Sequence, residues 1–354
     1  MNELDADEVE SGSAMPPQQE EKVHFEGKAK EFVILNGFPH YQEGHVLANR
    51  CQIFERIGWD DRLGPTYLAM GPEGKELVVR VGNEETPGVK IEAAFLCKAE
   101  QEHEWPKFSQ VYSIFNHDDC TFLTLFFRGG PTLQQCLDFS KGRFSHGTAG
   151  RLAGDVLSII RTVHKMGYML RSLDLEQFHL CAASRHLFMA DISDLRKSQK
   201  KVEMSWKGGP LFAPLAAHND QPVISERDEY EAWFMMFVYL FKGLPWRGEH
   251  LDDIKWTKIK ALNGELFDDL PEQYRQIYET INAEPSDRPM SEEDLNKIEN
   301  WTTEIWKKIG GVEDHEDNYD FEREPTDEEL PRFVAERVPT MALIAEEEES
   351  QDNE

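Results

Sequence analysis

The sequence has no CxxC pair, no unbroken apolar run longer than "AWFMMFVYLF" at 232–241, and no lysine or arginine among residues 1–21. Each absence removes a class of protein. The cysteines are odd in number (Cys51, Cys97, Cys120, Cys136, Cys181), which argues against a disulfide framework and for thiols kept in a reducing compartment. An apolar run that short falls below the roughly 18 residues a membrane helix needs, so it reads as a buried core helix. The N-terminal stretch is acidic where a signal peptide is basic and then apolar, so no secretion route is expected and the protein is placed in cytoplasm or nucleus. His164, His179 and His186 lack metal-ligand spacing, and no nucleophile elbow is present, so no zinc or other metal site is expected. Basic residues are scarce: 38 Lys and Arg face 67 Asp and Glu, for a formal net charge of -29. Such a field excludes nucleic acid and anionic membrane as partners and favours basic ones.

What is present is enough to fold. Of 354 residues 40% are hydrophobic, with 8 Trp and 21 Phe, as in a globular protein. The charge gathers at the ends. Residues 1–21 carry seven acids, and 311–354 carry seventeen against three arginines. Residues 1–21 therefore read as an acidic disordered tail, 22–42 as a linear segment, 43–310 as the folded domain and 311–354 as an acidic C-terminal tail, with "LPRFVAERVPTMALIA" at 330–345 as either a short docking helix or a poorly packed tail within it. Alternating apolar residues at 53–57 and 63–69, then "ELVVRV" and "CTFLTLFF", predict strands. The spacing of Val89, Ala93, Leu96 and Cys97 predicts a helix over 88–100. Ser145 opens a longer helix striped by Leu152, Val156, Leu157, Ile160 and Val163, and helices are predicted over 226–243, 270–283 and 291–308. Strands first and helices after give an α+β class with two unequal lobes, a small β-rich N-lobe and a larger helical C-lobe.

Several segments in order resemble the protein-kinase fold, and more narrowly the casein kinase 1 and tau-tubulin kinase group, over about 43–310. They are "GHVLANRCQIFERIG", "RGGPTLQQCLDFS", "RFSHGTAGRLAGDVLSIIRTVHKMGYMLRS" and "RDEYEAWFMMFVYLFKGLPWRG". The resemblance implies a Gly-rich loop over nucleotide phosphates, a strand Lys paired to a helix Glu, a catalytic base, and an Asn and an Asp on Mg²⁺. Most of those positions are altered here. The loop "IGWDDRLGPTYLA" keeps Gly58 and Gly64 but carries Asp60 and Asp61, which repel phosphates. Arg80 stands at the strand Lys and Glu92 at the helix Glu; a planar guanidinium does not replace an ammonium point charge. Leu170, Arg171 and Ser172 occupy the His-Arg-Asp places, and Gln177 that of the metal-binding Asn. Asp174 is a displaced substitute for the lost base, Asp191 is the surviving metal-binding Asp, and "KGGPLFAPLA" replaces the peptide-reading segment. Asp228 matches the buried Asp that braces the catalytic-loop backbone in the family.

A second signal lies outside the domain. Lys22, Val23 and Phe25 in "KVHF", followed by Phe32 and Val33, resemble the docking motif of protein phosphatase 1 regulators, whose extended backbone adds to a sheet edge while alternate side chains fill pockets. The plain alternative is that these apolar residues pack onto the small lobe. The resemblance thus implies a degenerate kinase-like binding or scaffold module, a pseudokinase, with the phosphatase catalytic subunit as a candidate partner and no cofactor expected. The competing expectations are a weak Ser/Thr kinase working through Asp191, Asp174 and Glu92, and a switch that binds ATP without Mg²⁺.

Overall fold

The computed structural model describes residues 32–60, 63–84, 88–198, 204–219, 223–246, 251–283, 289–314 and 317–322. Its first element is a hairpin inside the stretch expected to be linear. Strands β1 (Val33–Leu35) and β2 (Phe38–His40) pair antiparallel, Val33 opposite His40 and Leu35 opposite Phe38. The turn between them is Asn36-Gly37, with φ of 50 and 78, the two positive values that a tight primed turn requires and that Asn-Gly supplies. Phe38 is buried and anchors the hairpin to the domain.

An antiparallel sheet of order β3-β4-β5-β6-β8-β7 follows, built from β3 (Val46–Leu47), β4 (Cys51–Asp60), β5 (Gly64–Met70), β6 (Glu76–Gly82), β7 (Val111–His117) and β8 (Cys120–Phe126). Alternation along β6 sorts its side chains. Leu77, Val79 and Val81 join Leu47, Tyr67 and Phe122 in a core on one face. Val78 and Arg80 are thereby turned to the other face, beside α1 (Gly88–Gln101), whose Val89, Ala93 and Leu96 are buried. This is a curled sheet preceding a helical part, compatible with two lobes.

The helical part begins with α2 (Leu133–Phe139), held by a capping box between Thr132 and Gln135, and α3 (His146–Lys165), whose first turn is capped by Ser145. Short pairs β9 (Tyr168–Met169) with β12 (Arg196–Lys197), and β10 (Phe178–Leu180) with β11 (Leu187–Met189), carry the loops between them. Helix α4 (Glu226–Lys242) contains the long apolar run, and Trp233 to Val238 are all buried; the Trp233 indole donates to the Ala153 carbonyl at 2.8 Å. Helices α5 (Leu251–Leu262), α6 (Glu272–Asn282) and α7 (Glu292–Glu304) complete it.

Two features pin the periphery. Buried Lys258 on α5 donates to the carbonyls of Pro210 and Ala213 at 2.7 and 2.6 Å, while buried Glu231 on α4 accepts from the Leu215 amide at 3.1 Å. Together they tie down the 207–218 segment. The packed chain also runs past 310. Tyr319 is buried under the Arg151 guanidinium, 3.8 Å from the ring centroid, its hydroxyl donates to the Arg185 carbonyl at 2.8 Å, and Asp320 accepts from Ser145 at the start of α3. The first part of the acidic C-terminal stretch is thus a strap on the helical part. The segment 330–345 and residues 1–31 lie outside the described residues.

Candidate functional site

A cleft lies between the sheet and the helical part. One compartment, of about 400 Å³, is lined by Gly58, Arg80, Glu92, Gln177, Asp191 and Lys207 among others. An adjoining one of about 290 Å³ shares Gly58, Thr66, Arg80 and Asp191 and continues to Phe127, Arg128, His179 and Phe188.

Arg80 lies at the junction and is paired with two carboxylates. Its Nε stands 3.0 Å from Glu92 Oε1, and one terminal nitrogen stands 3.2 Å from Asp191 Oδ1 and donates to the Ala190 carbonyl at 3.1 Å. The charges of the three groups shift one another's pKa values. Burial pushes the Glu92 carboxyl up to about 7, with Arg80 pulling it down and Asp191 pushing it further up. Burial also works against the Asp191 charge, but Arg80 and the Ser193 amide hold that carboxyl below the usual aspartate range. Arg80 is disfavoured by burial, and its two carboxylates outweigh that and raise its pKa. The triad joins strand, helix and loop.

In the loop 170–177 every named side chain has a local partner. Ser172 is buried, and its Oγ accepts from Gln177 Nε2 at 2.9 Å. The Gln177 carbonyl accepts from the Asp174 amide at 2.8 Å, and the Asp174 carboxylate accepts from the Glu176 amide at 3.1 Å. Asp174 therefore caps its own 3₁₀ turn, Leu175–Gln177. Both ends of the Gln177 amide are occupied. Arg171 has φ of 65, and the residue that holds it there is Glu229, whose Oε1 accepts the Arg171 amide at 2.7 Å and whose Oε2 meets His164 Nε2 at 2.8 Å. This corrects the expectation for Asp228. Its carboxylate accepts from the Ser225 amide and hydroxyl, at 2.6 and 2.7 Å, and caps α4.

The glycines do different jobs. Gly58 has ordinary contact distance to Thr66 and opens on the cleft. Gly64, at φ +86, would place a side-chain Cβ against the Val81 carbonyl and 2.7 Å from the Phe38 ring; it permits the hairpin to close under the turn. Asp60 and Asp61 have no described side chains. The far compartment has a polar floor that the sequence reading missed. Arg128 lies 4.0 Å over the Phe188 ring and donates to the Phe108 carbonyl at 2.9 Å, and His179 Nδ1 donates to the Gly130 carbonyl at 3.2 Å. Burial lowers the His179 pKa, against the opposing pull of the Gly130 carbonyl and Asp191. Periodicity assigns His179 to a strand face, yet Arg128 and Lys207 reach the cleft from loops, whose course no period encodes.

Of the docking residues, Lys22, Val23 and Phe25 lie outside the described residues. Phe32 packs 5.2 Å from Tyr41 and 6.1 Å from His45 between ring centroids, and Val33 is exposed on β1. Among the described residues no group of three His, Cys, Asp or Glu side chains could hold a metal, and no helix is long and apolar enough to cross a membrane.

No family model matches the chain. Among the proteins it is similar to are two of Caenorhabditis elegans. One is named a piRNA biogenesis factor, prde-1, and is 26% identical over 187 residues, which span 46% of this chain and 35% of that protein. The other is named a "Putative casein kinase I" and is 28% identical over 157 residues, 38% of this chain and 45% of that protein. The chain thus spans less than half the length of either, and the second similarity points to a distant kinase-like relationship.

Proposed function

We propose that this chain is a catalytically inactive kinase-like protein that works as a binding or scaffold module, and that Lys22, Val23 and Phe25, with Phe32 and Val33, tether the catalytic subunit of protein phosphatase 1. The observation that supports inactivity best is the hydrogen-bond chain that runs from Ser172 through Gln177 to Asp174. A serine that accepts from a glutamine has no charge to orient a hydroxyl nucleophile, and Asp174 is committed to capping; a displacement of about 1 Å from a productive position can cost about 100-fold in rate. Arg80, paired with Glu92 and Asp191, braces the lobes. It offers the phosphates no separate point charge. Support for the phosphatase reading is the motif itself, an alternating apolar pair preceded by a base, of the kind that adds as an edge strand.

The test is a binding titration of the purified full chain against the phosphatase catalytic subunit, comparing wild type with Val23→Ala/Phe25→Ala. Wild-type binding in the micromolar range or tighter, lost in the double variant, is the expected result; equal binding by both removes the tether from the proposal. A parallel assay with labelled ATP and Mg²⁺ is expected to show no phosphate transfer to casein or to the chain itself. Transfer that disappears in Asp191→Ala would establish the weak-kinase reading instead. A rise in melting temperature with ATP that does not depend on Mg²⁺ would mark the nucleotide switch.

A further inference from the structure

The net charge of the chain favours basic partners, and one face of the helical part is a local exception. Between the loop before α3 and the end of α4 lies an open space of about 680 Å³. Among the described residues that line it, Lys141, Arg143 and Lys242 are cations, Phe144 and Phe241 are aromatic, and Asp320 alone is an acid. Lys141 and Arg143 are exposed. Arg143 has no hydrogen-bond or ion-pair partner among the described residues, and Lys242 uses one of its three donors, on the Leu266 carbonyl at 3.0 Å. The chemistry this face accepts is visible in what it already holds. The Asp320 carboxylate takes the Ser145 amide and, at 3.0 Å, the Ser145 hydroxyl, at the positive end of the α3 dipole. Its own amide donates to Thr148 Oγ1 at 3.1 Å. The next side chain, Phe321, packs against Phe144 with 5.8 Å between ring centroids. An acid followed by an aromatic ring is therefore bound on one wall, and the cations beyond it outnumber the carboxylate.

We propose that this space docks an acidic segment of a partner protein, one that carries an aromatic residue among its carboxylates. Arg143 and Lys141 meet the carboxylates from the rim, Lys242 meets them from the end of α4, and Phe144 and Phe241 receive the ring. An arginine fork takes a carboxylate through two parallel hydrogen bonds, and Arg143 has its fork free for that purpose. Screening limits the reach of a charge to about 10 Å at 0.1 M salt. A short peptide in this space therefore responds to the side chains around it more than to the net charge of the chain. An anionic bilayer is too large to escape that charge, so a peptide is the better fit. The site is independent of the phosphatase reading and uses none of its residues.

The experiment titrates the purified full chain into a fluorescein-labelled Glu-Glu-Phe-Glu-Glu peptide at low salt and reads anisotropy. Wild type is expected to bind with a Kd of about 100 μM or below. Lys141→Glu/Arg143→Glu changes two exposed side chains, so the melting temperature should hold while binding weakens about tenfold, the scale of two reversed ion pairs at a partly exposed site. Lys75→Glu/Lys260→Glu makes the same change in net charge on other elements and is expected to stay within about twofold of wild type. Replacing the peptide's Phe by Ala should weaken binding about threefold. No binding by wild type, or equal losses in the two charge-reversed chains, would overturn the proposal. Binding that appears only after Glu346–Glu349 are changed to Gln would overturn it in favour of the chain's own acidic C-terminal stretch. Capture by phosphatidylserine vesicles without peptide binding would overturn it in favour of a membrane surface.

Discussion

At the scale of single residues, the carboxylates of α4 show how far one residue matters. Asp228 and Glu229 are adjacent, about 100° apart on the helix; the first caps the helix and the second holds the Arg171 backbone and His164. A sequence shows two buried acids before an apolar run and no sign of which one turns inward. Glu229→Ala leaves a buried amide without its acceptor, and an expected loss of about 2–3 kcal/mol in urea unfolding would establish the brace. Asp228→Ala removes only a cap and should cost about 1 kcal/mol. Glu231 gives a pH signature. Burial raises its carboxyl to about 7 from the ordinary 4.5, against the pull of the Leu215 amide, so the folded chain holds that proton more tightly than the unfolded one. Its contribution to stability is full below about pH 4.5 and is lost as pH rises towards 7. Lys258 runs oppositely, depressed by burial from 10.5 to about 7, and its contribution returns as pH rises above 7. The urea midpoint of Glu231→Gln should therefore fall less than that of wild type between pH 4.5 and 7.

At the scale of elements, what is periodic was readable. The β4, β5 and β6 strands, the stripe of α3 beginning at Ser145 and the buried run of α4 follow from spacing, because burying one face of a regular element imposes its period on the sequence. The first hairpin is signalled by Asn36-Gly37, a turn dipeptide between apolar residues, and flanking strands of three residues are too short for alternation to register. Long-range placement has no local mark. Nothing near Tyr319 announces that its ring will lie under Arg151, since the partner is far away in the chain and the intervening composition is acidic. Two substitutions test these elements. Gly64→Ala forces a side chain into positive φ against Phe38 and should cost at least about 2 kcal/mol. Tyr319→Ala removes the buried ring of the strap and should cost about 3 kcal/mol, with faster amide exchange at the start of α3.

At the scale of the whole molecule, the α+β division into a sheet and a helical part with a cleft between them is what sequence and structure share, together with a distant kinase-like similarity over part of the chain. Charge is the other global property. With -29 on the chain and most of it near the ends, association with a basic partner should be fast at low salt and slow by more than about tenfold as salt rises towards 0.5 M; stopped-flow measurement with a basic model protein would give the slope. Phe38 sits under Gly64, and the Trp59 ring stands against both Phe38 and His40, so the roof of the cleft and the N-terminal hairpin share one aromatic joint. Were ligands at the cleft and at the hairpin to act on these rings in common, thermodynamic reciprocity would make each the other's effector: whatever factor one changed in the affinity of the second, the second would return to the first.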